Sequence, residues 1–258
     1  MGRDAPVIRS RANPLLKRVG AVRAGKLDGV VLEGERLVRD ALGAGLELDA
    51  LLVGESRPAL AEELGRGAAE VRVVADGILA QASVLTRPPL VLALARTPPS
   101  REARDLDLEG DALLLAVAGV SDPGNLGALA RSAEAAGARA LLVAEGGARP
   151  FGEKALRGSM GSLLRLPVVH GVGVRALSED LGARGVRQVL AATRGGTSWR
   201  AFDWSGPLAV WVGGETGTAL DLAGAVERVS IPMAGEAESL NVTVAASLLL
   251  FAAGRESP

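Results

Sequence analysis

The stretch SDPGNLGALARSAEAAG, residues 121–137, directly follows an aliphatic run and opens with turn-forming residues. Two later stretches have the same arrangement: VWVGGETG, residues 210–217, and IPMAGEAESLNVTVAAS, residues 231–247. Each has Gly, Pro, Asn, Ser or Glu where a strand should end. In an open parallel sheet, the loops that leave the carboxyl ends of the strands converge on one crevice, where such folds bind ligands. The three stretches therefore predict a single binding site.

The second half of the chain alternates short aliphatic runs with helical patterns. The aliphatic runs, which we interpret as strands, are residues 113–120, 140–143, 166–169, 188–192, 208–212 and 228–231. The helical patterns include the alanine-rich residues 126–136, followed by Gly137 past the helix end, and the apolar residues 241–253. Near-continuous aliphatic strands that alternate with helices are typical of a mostly parallel sheet covered on both faces. The predicted fold class is therefore α/β.

The first half predicts a smaller α/β unit. Its predicted strands are residues 30–32, 48–53, 71–74 and 90–95, and its predicted helices are residues 35–42, 58–64 and 77–85. The segment TPPSREARDLDLEGD, residues 97–111, then combines two prolines with alternating charges and has no apolar periodicity, which is typical of a domain linker. We therefore predict a first domain over residues 1–97, a linker over 98–110 and a second domain over 111–258.

Composition restricts the chemistry of the site. The chain has 258 residues, 48% of them hydrophobic, with a formal charge of -1, as expected of a soluble globular protein. It has no cysteine, which excludes disulfides, thiolate nucleophiles and sulfur-ligated metals, and we expect no metal site. His170, the single histidine, lies in the apolar run LPVVH, so we interpret it as a structural or strand-end residue rather than a catalytic one.

Targeting signals are absent from the sequence pattern. The start MGRDAPVIRSRANPLLKR has no apolar core of a secretory signal, and the longest aliphatic runs are shorter than the roughly 20 residues that span a bilayer. We therefore expect no membrane segment and a cytoplasmic location, with which the lack of cysteine agrees.

The first 26 residues are strongly basic. A net charge of +6 in this segment predicts contact with a polyanion, since neutralisation of phosphates supplies most non-specific affinity for nucleic acids. A solvated helix face is a compatible alternative, with apolar positions at Leu15, Leu16, Val19 and Val22. The charged residues are Arg3, Arg9, Arg11, Lys17, Arg18, Arg23 and Lys26 against Asp4.

Each of the three stretches carries polar residues that have both a structural and a functional interpretation. Asn125 stands where the first helix should begin, and Arg131 is either an exposed solubilising residue or a cation directed at a ligand. Gly213 allows a backbone to approach a ligand closely, and Glu215 follows it at the strand end. Ser239 and Asn241 precede the last helix, where a helix N-cap is the structural role for either.

Taken together, the three motifs in this order and spacing resemble the SpoU (TrmH) family of the SPOUT superfamily, which are RNA ribose 2'-O-methyltransferases. RGSMGSLLRLPV, residues 157–168, also resembles the segment between the first two family motifs. The resemblance covers about residues 113–253. It extends more weakly to IRSRANPLLKRV and VLEGERLVRDAL, which look like the family's L30e-like substrate-binding domain.

The resemblance implies more than the spacing does. It implies a C-terminal parallel sheet with a deep trefoil knot, S-adenosylmethionine bound in the knot mainly by backbone groups, and a homodimer with active sites at the subunit interface. The cofactor-contact positions are Gly213, Ile231 and Leu240, with Thr193 as a further candidate. Thr216 and Thr218 depart from the family pattern, in which glycine or a charged residue is commoner after the glutamate.

Arg131 matches the essential arginine of the family. Its guanidinium stays protonated, so we predict that it stabilises the developing alkoxide and grips a phosphate, while a phosphate oxygen, water or carboxylate takes the proton. By the same resemblance, Asn125, Ser239 and Asn241 orient the ribose and the loops, and Glu215 either fixes the second loop or receives a hydrogen bond. The predicted RNA-binding residues are Arg9, Arg11, Lys17 and Arg18.

The predicted function is S-adenosylmethionine-dependent methylation of a ribose 2'-hydroxyl, in rRNA of the 23S type. The preference for rRNA comes from the resemblance of the first domain alone. Two alternatives stay open at this point: methylation of tRNA, and a non-catalytic RNA-binding protein that keeps the knot as a dimerisation scaffold.

Overall fold

The structure of the chain is a computed structural model that describes residues 6–213 and 220–254. It divides into two compact units. The first unit contains the chain up to Pro98 together with Phe151–Arg157, and the second contains Pro99–Pro150 and the chain from Gly158 onward. No helix within the described ranges is long and apolar enough to cross a membrane.

The first unit is built on a four-stranded sheet with helices between most of its strands. The strand order is β1-β4-β2-β3, in which β4 is antiparallel to both neighbours and β2 is parallel to β3. In chain order the elements are α1 (Pro14–Arg23), β1 (Val30–Glu33), α2 (Glu35–Gly43), β2 (Leu48–Gly54), α3 (Pro58–Leu64), β3 (Val71–Val74), α4 (Asp76–Ala82) and β4 (Val91–Ala95).

Helix α1 packs on one face of this sheet. Asn13 caps it by accepting a hydrogen bond from the backbone N–H of Leu15, and Pro14 supplies the first helical residue. Leu16 and Val19 are buried in one cluster with side chains from all four strands of the sheet and with Leu79 of α4. The basic N-terminal segment therefore includes a helix whose apolar face is buried on the sheet. The two predicted interpretations of the segment, contact with a polyanion and a solvated helix face, apply to this same helix.

A buried charge cluster closes the first unit. Arg23 donates to both carboxylate oxygens of Glu153 at 2.8 and 2.9 Å and to Glu33 at 3.1 Å, and Arg157 lies 3.3 Å from Glu153. The Glu33 side chain is fully buried, and Ser83 donates a hydrogen bond to it. Burial and the neighbouring Glu153 carboxyl raise the pKa of Glu33, while Ser83 and Arg23 act against that rise. Two carboxyls and two guanidiniums therefore balance one another.

The second unit contains a seven-stranded sheet in which every observed pairing is parallel. The predicted α/β fold with a parallel sheet is confirmed. From Leu113 onward, the elements in chain order are β5 (Leu113–Ala118), α5 (Pro123–Ala135), β6 (Ala140–Ala144), α6 (Glu153–Ser159), α7 (Ser162–Arg165), β7 (Val168–Val172), α8 (Val174–Ala183), β8 (Arg187–Ala192), β9 (Thr197–Ser198), β10 (Leu208–Gly213), β11 (Val226–Ser230) and α9 (Val242–Ala253). Most of α6 belongs to the first unit, which contains Phe151–Arg157.

The strand order of this sheet is β7-β6-β5-β10-β8-β11-β9. Strand β10 therefore lies between β5 and β8, although four strands and several helices separate it from β5 in the sequence. All the carboxyl ends of β8, β10 and β11 meet at one edge of the sheet because these strands are parallel. Trp211 of β10 is fully buried in the centre of the sheet, and its indole N–H donates to Gln188.

Helix α5 and the predicted linker are among the segments that differ from their predicted boundaries. Helix α5 begins at Pro123, three residues before the predicted start, because Asp122 is the N-cap and accepts from the N–H of Asn125 at 2.9 Å. The predicted linker is packed on the second unit from Pro99 onward: Leu106 is buried in its core, and Arg184 donates to the carbonyls of Ala103 and Leu106. The domain division itself stays a prediction.

Candidate active site

A cavity of about 220 Å³ opens at the carboxyl ends of β8, β10 and β11. Thr193 follows β8 directly, Gly213 is the last residue of β10, and Ile231 follows β11. Helix α9 supplies the remaining wall, with the segment that precedes it. The lining residues are Ala191, Ala192, Thr193, Val212, Gly213, Val229, Ile231, Met233, Ser239, Leu240, Val242, Ala245 and Leu249. We call this cavity the strand-end cleft.

The chemistry of the strand-end cleft is mostly apolar. Apart from backbone amides, its described lining offers the hydroxyls of Thr193 and Ser239 and the thioether of Met233 as polar or polarisable groups. No charged side chain is among these lining residues. An apolar wall with a few polar groups is typical of a site for a flat ring system whose edges are read by the backbone.

Gly213 leaves space in the strand-end cleft. A Cβ atom added at this position would meet only Leu220, at 3.9 to 4.0 Å, which is an ordinary contact distance. The backbone there therefore tolerates a side chain without a clash with the residues that the structure describes, 6–213 and 220–254. Any larger side chain at this position would have to extend into the free volume of the cleft.

Helix α9 is anchored at its start by Asn241. The Asn241 side-chain oxygen accepts from the N–H of Thr243 at 2.8 Å and from that of Val244 at 3.4 Å. Asn241 is therefore the N-cap, which is the structural role that the sequence left open between it and Ser239. Ser239 instead lines the strand-end cleft together with Leu240.

Helices α5 and α9 lie against each other through polar contacts. The hydroxyls of Ser132 and Ser247 are 2.7 Å apart, and Thr243 donates to the backbone carbonyl of Asn125 at 3.5 Å. The first motif is therefore connected to the strand-end cleft through α9, since α9 forms one wall of that cleft. Asn125 is half-buried at this contact.

Arg131 is exposed on α5. Within residues 6–213 and 220–254, it takes part in no ion pair, in contrast to Arg165, which forms a bidentate pair with Glu134 at 2.7 and 2.8 Å. Arg131 does not line the strand-end cleft. Its guanidinium is thus available to an anionic ligand, and both of its predicted interpretations remain compatible with this position.

The structure brings together one group of predicted residues and separates others. Thr193, Gly213, Ile231, Leu240 and Ser239 share the strand-end cleft. Asn125 and Arg131 lie on the neighbouring α5, and Asn241 lies at the helix start. Glu215, Thr216 and Thr218 lie outside the described residues. Their predicted roles stay predictions.

Two of the four predicted RNA-binding residues form ion pairs within the first unit, and the other two do not among the described residues. Arg9 forms an exposed ion pair with Glu55, and Arg18 forms one with Asp49. Arg11 and Lys17 are exposed, and the described part of the chain offers neither of them an ion-pair partner. Arg11 and Lys17 are therefore the two whose charge is available to a phosphate.

His170 lies in β7, at the end of the sheet opposite β9. Its backbone N–H donates to Ser100, whose hydroxyl donates back to the His170 carbonyl. Burial, and then the positive charge of Arg149, lower the pKa of the imidazole. These contacts agree with the predicted structural role. Across residues 6–213 and 220–254, no three His, Asp or Glu side chains form a group able to hold a metal ion.

Several cleft residues have no signal in the sequence. Ala191, Met233, Ala245 and Leu249 line the strand-end cleft, yet each is a small or aliphatic residue in an apolar run. Such residues occupy hydrophobic cores everywhere, so their type indicates no ligand. Only the strand-end position of Ala191, beside Thr193, marks it as a neighbour of the predicted site.

Comparison with known proteins extends over nearly the whole chain. Residues 112–251 match the model of the SpoU rRNA Methylase family. The chain is 32% identical over 231 residues to the 23S rRNA (guanosine(2553)-2'-O)-methyltransferase RlmP of Bacillus subtilis, covering 88% of each protein. It is 33% identical to an uncharacterized tRNA/rRNA methyltransferase of Mycobacterium bovis, over 96% of this chain and 79% of that protein.

Solved structures are similar over both units. A crystal structure of an RNA 2'-O ribose methyltransferase matches with a TM-score of 0.78 and 31% identity, covering 96% of this chain and 98% of the other. The SpoU methyltransferase AviRb of Streptomyces viridochromogenes, in complex with the cofactor AdoMet (S-adenosylmethionine), matches with a TM-score of 0.82 and 27% identity, covering 93% and 97%. An AdoMet-bound rRNA methyltransferase of Sinorhizobium meliloti gives a TM-score of 0.81 at 25% identity, covering 96% and 97%.

Proposed function

The chain belongs to the SpoU rRNA methylase family, and from that premise we propose that it methylates a ribose 2'-hydroxyl of rRNA with S-adenosylmethionine as the methyl donor. The observation that carries this proposal is the strand-end cleft, in which the second and third family motifs meet. As an rRNA-modifying enzyme, the protein would act in the cytoplasm.

The strand-end cleft suits the proposed donor. Its apolar walls match an adenine ring and a methionine chain, and its hydroxyls and backbone amides match the polar edges of that ligand. We assign Thr193, Gly213, Ile231 and Leu240 to this contact. Two AdoMet-bound structures of similar proteins support the assignment of the ligand.

The reaction is an in-line displacement. When bound, S-adenosylmethionine supplies a methyl group on a positively charged sulfur. The ribose 2'-oxygen forms a bond to the methyl carbon as the carbon–sulfur bond breaks, and the hydroxyl proton leaves to an acceptor. The protein's task is to position that oxygen and to stabilise the negative charge that develops on it.

Arg131 is the residue to which we assign this stabilisation. Its guanidinium stays protonated at neutral pH and cannot act as an ordinary general base. It is exposed and has no ion-pair partner in the described ranges, so it can hold a phosphate of the RNA or the developing alkoxide without first breaking a pair. A phosphate oxygen, a water molecule or a carboxylate would accept the proton.

The remaining predicted residues act on position rather than on charge. We assign Asn125, Ser239 and Asn241 to orienting the ribose and the motif loops, and Glu215 to holding the loop after β10. Asn241 already caps α9, so its effect on the reaction would pass through the position of that helix.

We also propose the finer architecture that the family implies. The C-terminal sheet would contain a trefoil knot, which the position of β10 between β5 and β8 supports. The first unit, with residues 1–97 as its sequence boundary, would be an L30e-like RNA-binding domain. Its available cations at Arg11 and Lys17 support contact with RNA.

The active form would be a homodimer. Val244 and Phe251 of α9 are seven residues apart, hence on one helix face, and are 49% and 60% exposed. Leu240, just before the helix, is 37% exposed. Large apolar side chains on one exposed face support burial against a second copy of the chain. The Arg131 of each copy would then lie beside the interface that completes the site.

The experiment is to incubate the purified protein with radiolabelled S-adenosylmethionine and with separated rRNA and tRNA fractions. We expect label in 23S rRNA and a single ribose 2'-O-methyl position on mapping. Label confined to tRNA would identify the alternative substrate. Cofactor binding and RNA binding without any transfer would instead support the non-catalytic scaffold and contradict the proposed reaction.

A further inference from the structure

A second concave surface lies in the first unit, between α1 and the end of α4. Its volume is about 280 Å³. The lining residues are Arg11, Leu16, Val19, Gly20, Arg23, Ile78, Gln81, Ala82, Ser83 and Val84. We call it the α1–α4 cleft. None of its lining residues belongs to the strand-end cleft or to the three family motifs.

The walls of the α1–α4 cleft are fixed by contacts at its base. Arg23 at the end of α1 donates to the carbonyl of Ala82 at the end of α4, and Ser83 donates to Glu33. Arg23 is in turn held by Glu153 and Glu33. The concavity is therefore formed before any ligand arrives, since the charge cluster beneath it ties both helices in place.

The floor of the α1–α4 cleft is apolar and its rim is polar. Leu16 and Val19 are buried beneath it, whereas Val84 is 56% exposed, a high fraction for an aliphatic side chain. Arg11 and Gln81, both exposed, supply a cation and an amide with donor and acceptor groups. A ligand with a flat apolar face and a polar edge fits this arrangement.

The charge around the α1–α4 cleft favours an anion. Residues 6–26 contain six cations and no acidic residue. Three of these cations are used in ion pairs, namely Arg9, Arg18 and Arg23, which leaves Arg11, Lys17 and Lys26 without an ion pair among the described residues. A flat ring attached to a phosphate therefore matches the cleft in both shape and charge.

The α1–α4 cleft, of about 280 Å³, has room for one ring of a larger molecule. Its described lining contains no aromatic side chain, so a base would be recognised by hydrogen bonds and apolar contact rather than by aromatic stacking. Proteins that recognise single-stranded RNA bind the edges of individual unstacked bases by hydrogen bonds.

We propose that the α1–α4 cleft binds one unpaired nucleotide of the RNA other than the methylated one. The base lies against the apolar lining that includes Ile78 and Val84, Gln81 binds its edge, and Arg11 binds the adjacent phosphate. This inference rests on the proposed function, because that function supplies the RNA. It adds a recognition site that binds an unpaired base in addition to a phosphate.

The test uses Gly20→Leu in the full chain. A Cβ atom at Gly20 meets nothing within 4 Å, and the substitution replaces glycine inside a helix, so the side chain fills the cleft while helix propensity rises. The matched control is Gly43→Leu at the end of α2, another helical glycine with nothing within 4 Å and no place in the cleft. Gln81→Ala is a second cleft variant.

The readout is fluorescence anisotropy with two RNA hairpins of equal length, one fully paired in its stem and one with a single unpaired stem nucleotide. Loss of the base contact, which combines a hydrogen bond with a small apolar area, should reduce affinity by about tenfold. We expect Gly20→Leu to weaken binding of the bulged hairpin by about that factor, to leave the paired hairpin unchanged and to keep the salt dependence of wild type. Gly43→Leu should bind both hairpins as wild type does, and Gln81→Ala should show a smaller selective loss.

Unchanged binding of the bulged hairpin by Gly20→Leu would overturn the proposal, as would equal weakening of both hairpins, which would indicate a phosphate-contact surface alone. Failure of the proposed function is recognised separately. In that case no RNA fraction is methylated and S-adenosylmethionine does not bind, whereas the hairpin comparison still measures the cleft.

Discussion

At the scale of single residues, Arg131 is the side chain on which the proposed chemistry most depends. We predict that Arg131→Ala loses methyl transfer by about a hundredfold or more, the range found when one charge-stabilising group is removed from an active site, while S-adenosylmethionine affinity measured by calorimetry is unchanged. Arg139→Ala is the control, since Arg139 is another exposed arginine but pairs with Asp107. Wild-type turnover by Arg131→Ala would exclude the assigned role.

A substitution at Gly213 tests the cofactor site, because it should weaken cofactor binding. We predict that Gly213→Leu keeps the wild-type unfolding temperature within a few degrees, because among the described residues an added Cβ meets only Leu220, at 3.9 Å or more. The rest of the leucine side chain would occupy the strand-end cleft and weaken S-adenosylmethionine binding by about tenfold or more. Calorimetric affinity equal to wild type would place the cofactor elsewhere.

Some residues of the site could be recognised from the sequence, and others could not. Thr193 and Gly213 stand at strand ends next to turn residues, so a parallel sheet alone brings them together. The capping role of Asn241 is readable from the apolar helix that follows it. Met233 and Ala245 are not readable, because a cleft wall and a core wall require the same apolar residues.

At the scale of elements, the cap of α9 connects stability to the site. We predict that Asn241→Ala destabilises the protein by about 1 kcal/mol, since the N–H groups of Thr243 and Val244 lose their acceptor. Asn241→Ser restores an acceptor at the cap. If Asn241 acts by holding α9, the serine variant recovers both chemical-denaturation stability and turnover. Recovery of stability without turnover would instead indicate a direct contact with the RNA.

We expect His170 in strand β7 to make the unfolding free energy depend on pH. Burial and Arg149 lower the pKa of His170 below its ordinary value of 6.5. The unfolded chain therefore binds a proton more readily than the folded chain as the pH falls below about 6.5. Stability is fully present above that pH and decreases below it, until the folded protein also protonates.

We predict that His170→Asn has a flatter dependence of unfolding free energy on pH between roughly 7.5 and 5 than the wild type. Urea denaturation at steps of pH measures it. His170 is the one histidine of the chain, and the Glu33 carboxyl titrates in both proteins, so the difference between them isolates the imidazole. Parallel curves would show that the folded and unfolded imidazoles titrate alike.

Elements with strong local patterns agree with their sequence predictions, and those shaped by tertiary contacts do not. Helix α3 (Pro58–Leu64) and strand β3 (Val71–Val74) have the predicted bounds. Helix α6 and the two-residue β9 have no sequence prediction, because α6 is defined by charge pairs with distant residues and β9 by pairing with β11. Helix α5 starts early because Asp122, not Asn125, is its cap.

At the scale of the whole molecule, the exposed face of α9 determines whether the site is complete. We predict that Phe251→Asp converts a dimer into a monomer in sedimentation analysis, since a carboxylate at an apolar interface lacks a partner. The monomer should lose turnover while the Leu27→Asp control, at an exposed aliphatic residue in the first unit, stays dimeric. A wild-type protein that sediments as a monomer would contradict the proposed homodimer.

The overall class of the molecule was predictable because the aliphatic runs and helices alternate over a long stretch. Which strands become neighbours was not, since the position of β10 between β5 and β8 depends on the path of the intervening chain. The assignment of Phe151–Arg157 to the first unit could not be predicted either. Charged residues such as Glu153 and Arg157 are common in helices, and only the structure shows that they pair with Arg23 and Glu33.

This charge cluster links the order of synthesis to folding. Arg23 and Glu33 are made early, but Glu153 and Arg157 follow Pro98 by up to 59 residues. At about 5–20 residues per second, the ribosome needs roughly 3 to 12 seconds to cover that interval. During that time the first unit carries Glu33 and Arg23 without Glu153, so its native state is completed only after the chain has emerged as far as Arg157.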